Sequence, residues 1–272
     1  MEDFWARHLE PTGHLGPNYW EYFAERLAHH AAVPAQAAVL DIGTFDGNVL
    51  FKAMKTVEAQ GHGIGIDIDC DGFCAGVMEA MQRGWKENIA FVQMDANTLG
   101  FLSETFQTVL ANFVGWDDCF DFDRMEFIAP DRKLAEIRRV LKPGGQVGIG
   151  FWVDQTDIDW IVEAFKKYLP ACKRVIGDRM IAYGQENPKG YEAILRCGGF
   201  QNISVHVETS AFVSANMTEW WWQMRITSGD YFKTMPELER FKEQILADVE
   251  QLKSPHGIHF VKTVGYALGT KL

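Results

Sequence analysis

Residues 39–47 of the chain read Val-Leu-Asp-Ile-Gly-Thr-Phe-Asp-Gly, and this stretch decides the fold class. An apolar, β-branched run ends here in a turn bounded by Gly43 and Gly47, and a segment of helical periodicity follows near residues 47–60. This order predicts a buried strand, a tight turn and a helix. Glycine lets the backbone bend sharply, so two glycines at a turn do not by themselves identify a ligand.

The alternation of strand and helix continues along the whole chain. Strands are predicted at 38–42, 63–67, 90–94, 108–112, 146–151, 202–208 and 257–268, and helices near 47–60, 71–84, 124–141, 158–169, 189–197, 218–226 and 236–252. In the segment 141–145, Leu-Lys-Pro-Gly-Gly, proline stops a helix and glycine permits the turn into the next strand. The pattern predicts an α/β fold with a doubly wound, mostly parallel seven-stranded sheet.

Composition and charge narrow the class of protein. The 272 residues include 37 acidic against 26 basic side chains, a net charge of −11, and 47% are hydrophobic. The chain can therefore bury a sizeable core, and its charge disfavours nucleic acid as a partner. No apolar run approaches the ~18 residues of a membrane span, and the N-terminus begins with acids rather than with a secretion signal. We expect a cytoplasmic protein.

The cysteines indicate neither disulfides nor zinc. They are five in number, scattered, and without the paired spacing of a zinc site. We therefore interpret them as small apolar residues in a reduced compartment.

Acidic residues stand where the next two strands end. Asp67 lies 20 residues after Gly47, and Asp95 follows the third strand. Ligands of open parallel sheets bind at the carboxyl ends of the strands. A carboxylate at Asp67 can accept hydrogen bonds from two ribose hydroxyls, and Asp95 would lie near an adenine amino group. The sequence thus predicts an adenosine site at this edge of the sheet.

The charge of the first loop indicates which adenosine cofactor binds. A dinucleotide needs a glycine in the middle of the loop so that the backbone can approach a pyrophosphate, but Phe45 stands there and Asp46 adds negative charge. A sulfonium cofactor carries no phosphate, and its positive charges suit acidic and aromatic neighbours. This favours S-adenosylmethionine over NAD.

With these motifs the chain resembles the class I S-adenosylmethionine-dependent methyltransferases. It is most similar to the small-molecule enzymes that include the ubiquinone and menaquinone biosynthesis methyltransferases. The resemblance covers roughly residues 15–210 and rests on the segments 39–47, 65–67, 95–96, 137–145 and 195–200. It implies a Rossmann-like fold, methyl transfer from S-adenosylmethionine, and S-adenosylhomocysteine as the product.

The resemblance also implies the roles of individual residues. Asp41 and Gly43 would lie near the methionine end of the cofactor, Asp67 on the ribose, and Asn112 and Phe113 over the cofactor. The expected cofactor-binding residues are Asp41, Gly43, Thr44, Phe45, Gly47, Asp67, Ile68, Asp95, Ala96, Asn112, Phe113 and Tyr19. Phe45 departs from the family, which usually has a second glycine at this position. Asp46 could either contact the ligand or cap the following helix.

The chain is expected to form one methyltransferase domain over residues 1–272. Its parts would be an N-terminal helical lid segment (1–36), a cofactor-binding core (37–210), a helical insertion on the substrate side (211–256) and the last strand (257–272). Lids of this kind exclude water during transfer.

Aromatic residues are the candidates for binding a small, apolar or aromatic methyl acceptor, since pockets are mostly apolar with a few polar groups. Three successive indoles at 220–222 cannot all face one core, although core packing remains an alternative. The candidate substrate residues are Trp20, Trp116, Trp152, Trp221, Trp222 and Arg225. No catalytic base is assigned, because the histidines show no decisive pattern.

Three other functions are alternatives to this one. A metal-dependent catechol-type O-methyltransferase needs oxygen ligands after strands four and five, where this chain has Ala111-Asn112-Phe113 and Gly150-Phe151-Trp152. We therefore expect no metal. A nicotinamide oxidoreductase needs the missing glycine, and a protein methyltransferase stays open because net charge weighs only against nucleic acid. The oligomeric state is not predicted.

Overall fold

The structure is a computed structural model that describes residues 19–57, 61–156, 167–168, 186–214, 238–251 and 257–272. The chain divides into two compact units. The larger comprises residues 20–152, 186–207 and 264–272, and the smaller comprises residues 1–19, 153–185 and 208–263. The single domain expected over residues 1–272 stays a prediction.

The described strands and helices follow the predicted alternation. The helices are α1 (Tyr19–His30), α2 (Asn48–Met54), α3 (Phe73–Gln82), α4 (Arg132–Val140), α5 (Pro188–Cys197) and α6 (Leu238–Glu250). The strands are β1 (Ala38–Ile42), β2 (His62–Asp67), β3 (Ile89–Gln93), β4 (Phe106–Asn112), β5 (Phe120–Asp121), β6 (Glu126–Phe127), β7 (Leu141–Gln155), β8 (Gln201–Ser214) and β9 (Ile258–Thr270).

Seven of these strands form one sheet in the order β3-β2-β1-β4-β7-β9-β8. The pairs β1–β2, β2–β3, β1–β4 and β4–β7 are parallel. The N–H of Gly144 donates to the carbonyl of Lys271, and the N–H of Lys271 donates to the carbonyl of Gly145. The start of β7 therefore lies beside the end of β9, so this pair is antiparallel. The predicted mostly parallel seven-stranded sheet is confirmed.

Strand β1 lies at the point where the winding of the sheet reverses. The chain passes from β1 outward through β2 to β3 and then returns to place β4 on the other side of β1. All five residues of β1 are buried, as expected for a strand covered on both faces. The carboxyl ends of β1 and β4 therefore form the crevice where open α/β sheets bind ligands.

The prediction of a helix near 124–141 is wrong for the first half of that segment. Residues 120–127 form a small antiparallel pair of strands, β5 and β6. The carboxylate of Asp121 accepts hydrogen bonds from the N–H groups of Asp123 and Arg124, which makes a turn instead of a helix. Helix α4 begins only at Arg132, because Asp131 is its N-cap and accepts from the N–H of Leu134 at 2.8 Å.

The other bounds differ mainly in length. Strands β7, β8 and β9 run beyond the segments predicted for them, and α2 ends at Met54 rather than near residue 60. The predicted helix at 218–226 lies outside the described residues, as does the one at 158–169 except for residues 167–168. None of the helices in the described ranges is long and apolar enough to cross a membrane.

An aromatic cluster packs the described part of the smaller unit. The ring of Tyr19 lies edge-on to Phe212 and Phe260, with centroids 5.9 and 5.8 Å away. Lys262 is buried beside this cluster, with its Nζ 4.4 Å from the centroid of the Tyr19 ring. The same Nζ donates to Oε1 of Gln155 at 2.8 Å, which provides a polar partner for the buried ammonium group.

Replacing Gly265 tests the packing of β7 against β9. A Cβ added at Gly265 would lie 2.1 Å from Cζ of Phe151, whose ring is fully buried. We expect Gly265→Ala to lower the free energy of unfolding by about 1–3 kcal/mol, because the core cannot absorb the added volume. Chemical denaturation measures this change. The matched control is Gly100→Ala, where the nearest atom is 3.4 Å away and the expected change is within ~0.5 kcal/mol. Equal effects of the two substitutions would contradict the packing.

Candidate functional site

The loop between β1 and α2 turns through three residues with left-handed backbone conformations. These are Gly43, Phe45 and Gly47, with φ of 69°, 48° and 90°. Phe45 therefore adopts the conformation that glycine would take more easily, at a cost of roughly 1 kcal/mol. The backbone of Phe45 passes close to Gly72, where an added Cβ would lie 2.5 Å from the carbonyl carbon of Phe45. The loop thus keeps a glycine-like turn without glycine in the middle.

Asp41 is a buried carboxylate beneath this loop. Only 1% of the surface of this residue is exposed to solvent. Oδ2 accepts from the hydroxyl of Thr44 at 2.7 Å and from the N–H of Leu50 at 3.2 Å. Oδ1 is buried and has no hydrogen-bond partner among the described residues. Burial raises the pKa of Asp41 to about 7, which the hydrogen bonds from Thr44 and Leu50 oppose.

Asp67 ends β2 and holds the first loop in place. One carboxylate oxygen, Oδ2, accepts from the N–H of Phe45 at 3.0 Å, and Oδ1 accepts from the N–H of Asp69 at 3.1 Å. A carboxylate has about four acceptor positions, so each oxygen can accept a further hydrogen bond. Asp67 is half-buried and can therefore position the loop and bind a diol at the same time.

The segments after β2 and β3 are joined to each other. The side-chain amide of Gln93 donates to the carbonyl of Ile68 at 2.9 Å, and the N–H of Met94 donates to the carbonyl of Asp67 at 2.8 Å. Ile68 is 72% exposed, which leaves an apolar surface beside Asp67 for a planar ring. The exposed Asp95 accepts from the N–H of Asn97 at 2.8 Å, so its carboxylate is fixed at this edge together with Ala96.

The loop after β4 approaches the loop after β1. A Cβ added at Gly43 would lie 2.8 Å from Cγ2 of Val114. Asn112, the last residue of β4, faces Gly150, where an added Cβ would lie 1.9 Å from the Asn112 Oδ1. That oxygen is buried and has no hydrogen-bond partner within the described part of the chain. Two acceptor atoms, Oδ1 of Asp41 and Oδ1 of Asn112, thus remain available near the reversal point.

Four aromatic side chains form what we name the aromatic wall: Trp20, Phe23, Phe113 and Trp152. The rings of Phe113 and Trp152 stack with centroids 3.8 Å apart and planes inclined by 7°. Trp20 contacts both edge-on, at 5.7 and 5.8 Å. Phe23 lies behind them, 5.6 Å from Trp152. Phe113 also has a left-handed backbone with φ of 59°, a strained conformation of the kind often found in binding sites.

Glu186 is a site residue that the sequence analysis missed. It is 6% exposed, and its Oε1 accepts from the hydroxyl of Tyr191 at 2.7 Å. Burial raises the pKa of Glu186 to about 7. No motif signals this residue, because it lies 34 residues beyond Trp152 in sequence and joins the site only through the fold.

The structure brings most of the expected cofactor residues to one edge of the sheet. Several other candidate residues lie elsewhere. Trp116 is fully buried, and its Nε1 donates to Asp131 at 2.9 Å. Tyr19 belongs to the smaller unit. The helix after Asp46 has Gly47 as its N-cap, and Asp46 accepts from the side chain of Asn48 at 2.7 Å. Trp221, Trp222 and Arg225 lie outside the described residues.

The arrangement suits a nucleoside whose tail is cationic. A diol can bind Asp67, an adenine ring can pack on Ile68, and positive charge can approach Asp41 and Asn112. The aromatic wall offers ring faces to apolar rings or to a cation. Among the described residues, no group of three His, Cys, Asp or Glu side chains is arranged to hold a metal ion.

Comparisons with known proteins agree with this geometry. A family model described as "Methyltransferase domain" matches residues 35–176. The ubiquinone/menaquinone biosynthesis C-methyltransferase UbiE of Hahella chejuensis is 32% identical over 117 residues, which cover 43% of each chain. The aklanonic acid methyltransferase DauC of a Streptomyces strain is 34% identical over 99 residues, which cover 36% of this chain and 44% of that enzyme. The chain thus spans less than half the length of these relatives.

A solved structure extends the comparison of the fold. The YcgJ protein of Bacillus subtilis superposes with a TM-score of 0.57 at 17% identity, covering 92% of this chain and 98% of that one. At this identity the likeness concerns the fold alone.

The ionisation of Asp41 gives a testable pH dependence. Because the folded chain holds a proton up to about pH 7, whereas an ordinary aspartate loses it near 3.8, the unfolded state binds fewer protons between these values. The contribution of Asp41 to the free energy of unfolding therefore falls as pH rises through this window, by at most about 1.4 kcal/mol per pH unit. We expect Asp41→Asn to gain stability relative to the unsubstituted chain as pH rises. Parallel stability curves from denaturant titrations would contradict the burial of this charge.

Proposed function

We propose, since the chain belongs to the methyltransferase domain family, that it transfers a methyl group from S-adenosylmethionine to a small molecule. The observation that carries the proposal is the convergence of Asp41, Asp67 and Asp95 at one sheet edge around a loop of glycine-like shape. The runs of sequence shared with UbiE and DauC support the same reaction.

The proposed cofactor fits the side chains that are present. The two oxygens of Asp67 would accept hydrogen bonds from the ribose hydroxyls, while Ile68, Asp95 and Ala96 would surround the adenine. Asp41 and Asn112 would face the amino-acid end of the cofactor, where an ammonium group could donate to the oxygens that have no partner among the described residues. The loop residues Gly43, Thr44, Phe45 and Gly47 would shape the passage between these two ends. When bound, S-adenosylmethionine supplies a methyl group on a positively charged sulfur.

The chain would accelerate the transfer mainly by holding donor and acceptor in line. The first loop and Asp67 fix the position of the donor, and the aromatic wall positions the acceptor and excludes water. Aromatic faces also stabilise positive charge near the sulfur. No proton transfer through a histidine is required for a nucleophile that is already deprotonated.

The acceptor is proposed to be a small apolar or aromatic metabolite. Phe113 and Trp20 are only partly buried, so their rings can contact a further planar group. Pockets that bind such molecules are lined mainly by apolar side chains with a few polar groups. Trp152 belongs to the same wall, and we keep Trp221, Trp222 and Arg225 as candidate acceptor residues, whereas Trp116 is fully buried. Tyr19 stays a proposed cofactor neighbour.

We also propose that the protein acts in the cytoplasm. Four cysteines lie within the described residues, and all four are free: Cys70, Cys74, Cys119 and Cys197. Free thiols are typical of a reducing compartment.

Replacing Asp67 tests the cofactor site. We expect Asp67→Asn to weaken the binding of S-adenosylhomocysteine by about 1.5–3 kcal/mol, because a charge-assisted hydrogen bond to the ribose is lost. Isothermal titration calorimetry measures the change. The matched control is Asp69→Asn, because Asp69 is exposed and lies two residues further along. Its affinity should stay within about twofold of the unsubstituted chain. Equal losses in both variants, or preference for NAD in the unsubstituted chain, would overturn the assignment.

The reaction itself is tested by a screen of small acceptors with methyl-labelled S-adenosylmethionine. We expect label to pass to phenols or quinols in preference to aliphatic amines, since the aromatic wall favours planar apolar groups. Trp152→Ala should lower the transfer rate at least ~tenfold while leaving S-adenosylhomocysteine bound. Transfer confined to a protein substrate would contradict the proposed acceptor class.

A further inference from the structure

Helix α3 carries apolar side chains on its solvent-exposed side. Val77, Met78 and Met81 are 41%, 60% and 52% exposed, and Cys74 is also exposed. A helix turns by about 100° per residue, so these four side chains lie within an arc of about 100° on its surface. We name them the α3 stripe. Single exposed apolar residues are common on a protein surface, but a contiguous group of them marks an interaction site.

The inner side of α3 is packed against the larger unit. Gly76 and Ala80 are buried, and a Cβ added at Gly76 would lie 2.5 Å from Cζ of Phe91 on β3. Surface helices usually carry polar residues on the side away from such a packed face. On α3 the polar side chains Glu79 and Gln82 occupy only a narrow strip. The described residues therefore leave the α3 stripe exposed.

The spacing of the α3 stripe is symmetric about the midpoint between Val77 and Met78. Cys74 lies three positions before Val77, and Met81 lies three positions after Met78. If a second copy of α3 crosses this midpoint in the antiparallel direction, Cys74 of one copy faces Met81 of the other. A small side chain then meets a long and flexible one, and methionine fills irregular gaps well. The stripe is thus complementary to itself, as a two-fold interface requires.

Charged groups at the two ends of α3 favour the same antiparallel direction. Asp69 and Asp71 are exposed before the helix, and Lys86 is exposed after it. About the same midpoint, Asp69 of one copy faces Lys86 of the other, although the exposed Glu87 reduces this attraction. A parallel pair would instead bring the acids together and align the helix dipoles. The same acids and the net charge of −11 disfavour an anionic lipid surface as the partner.

The charges along the helix itself are neutralised within one copy. Nη2 of Arg83 lies 2.6 Å from Oε1 of Glu79. The guanidinium carbon of Arg83 also lies 5.5 Å from the ring centroids of Phe51 and Trp85, so this side chain is held by its own chain. An apolar contact at the middle of α3 therefore buries no unpaired charge from this ion pair.

We propose that the α3 stripe is a homodimer interface, in which two copies of α3 pack antiparallel across a two-fold axis near Val77 and Met78. This inference is independent of the proposed function, because none of the four stripe residues belongs to the proposed cofactor site. Helix α3 has ten residues and is therefore about 15 Å long. An interface centred on two such helices is small, and small interfaces associate weakly. We expect a dissociation constant on the order of 10 µM.

Sedimentation velocity of the full chain, from about 1 to about 500 µM, tests the oligomeric state. We expect a monomer–dimer equilibrium. Met78→Asp should weaken dimerisation at least ~tenfold, because it places two like charges together at the axis. The matched control is Leu102→Asp, since Leu102 is apolar and 84% exposed but lies outside the stripe. Its dissociation constant should stay within about twofold of the unsubstituted chain.

Two results of this measurement would overturn the proposal. One is an unsubstituted chain that stays monomeric over the whole range, as it would if a segment of the same chain covered the stripe. The other is a dimer that Met78→Asp and Leu102→Asp weaken equally, because its interface would then lie on another surface.

A disulfide tests the antiparallel direction, and it does so without a charged substitution that could disturb folding. Residues 74 and 81 lie seven positions apart, about 10 Å along the helix, which is too far for a disulfide within one chain. In a chain with Met81→Cys and Cys70→Ser, oxidation by diamide should join the new thiol to Cys74 of a second copy. Mass spectrometry of non-reduced peptides identifies the link, and adding Cys74→Ser should abolish it. Absence of this link, or a dominant link between Cys74 of both copies, would overturn the arrangement.

Exchanging the end charges separates a two-fold pair from non-specific apolar association. Lys86→Glu should weaken dimerisation about fivefold, because like charges would then face each other at both ends of the interface. Adding Asp69→Lys to the same chain should restore the dissociation constant to within about twofold of the unsubstituted value. A double variant that dimerises no better than Lys86→Glu alone would contradict the pairing of Asp69 with Lys86.

Discussion

The buried carboxylate of Asp41 is the constraint from which the candidate site is built. A charge in the central strand of a sheet is costly unless something compensates it, and within the described part of the chain the hydroxyl of Thr44 and the N–H of Leu50 do so. The residual cost appears as a pKa raised to about 7 by burial. A cationic ligand would relieve that cost, so the strand that organises the fold also favours the proposed cofactor. The Asp41 side chain therefore belongs both to the central strand of the fold and to the proposed cofactor site.

The fold, and the placement of Asp41, Asp67 and Asp95 at one edge of the sheet, could be predicted from sequence because both depend on local patterns. The strands are indicated by apolar runs, and the turn by Gly43 and Gly47. The spacing from this turn to Asp67 indicates where the second strand ends, and all of these signals lie close together along the chain. Phe45 shows why the family pattern still holds where a glycine is missing: its backbone takes a left-handed conformation, held by the hydrogen bond to Asp67 and by the close approach of Gly72. The backbone of Phe45 is therefore slightly strained, and the turn keeps the shape that glycine would give it.

Contacts that depend on tertiary structure could not be predicted from the sequence. The first half of the helix predicted near 124–141 is a β-hairpin because the Asp121 turn and the N-cap at Asp131 override helical periodicity. The aromatic wall joins residues far apart in sequence, and Trp116, an equally plausible aromatic candidate, packs instead in the core. Glu186 carries no motif at all. Its burial and its hydrogen bond from the Tyr191 hydroxyl arise only in the folded chain.

The central claim is that neighbouring strand ends bind a nucleoside with a cationic tail. A crystal structure of the chain with S-adenosylhomocysteine tests it most directly. The account predicts ribose hydroxyls within hydrogen-bond distance of Asp67, adenine beside Ile68 and Asp95, and the ammonium group near Asp41. Ligand bound at another edge of the sheet, or its absence from this one at saturating concentration, would contradict the account.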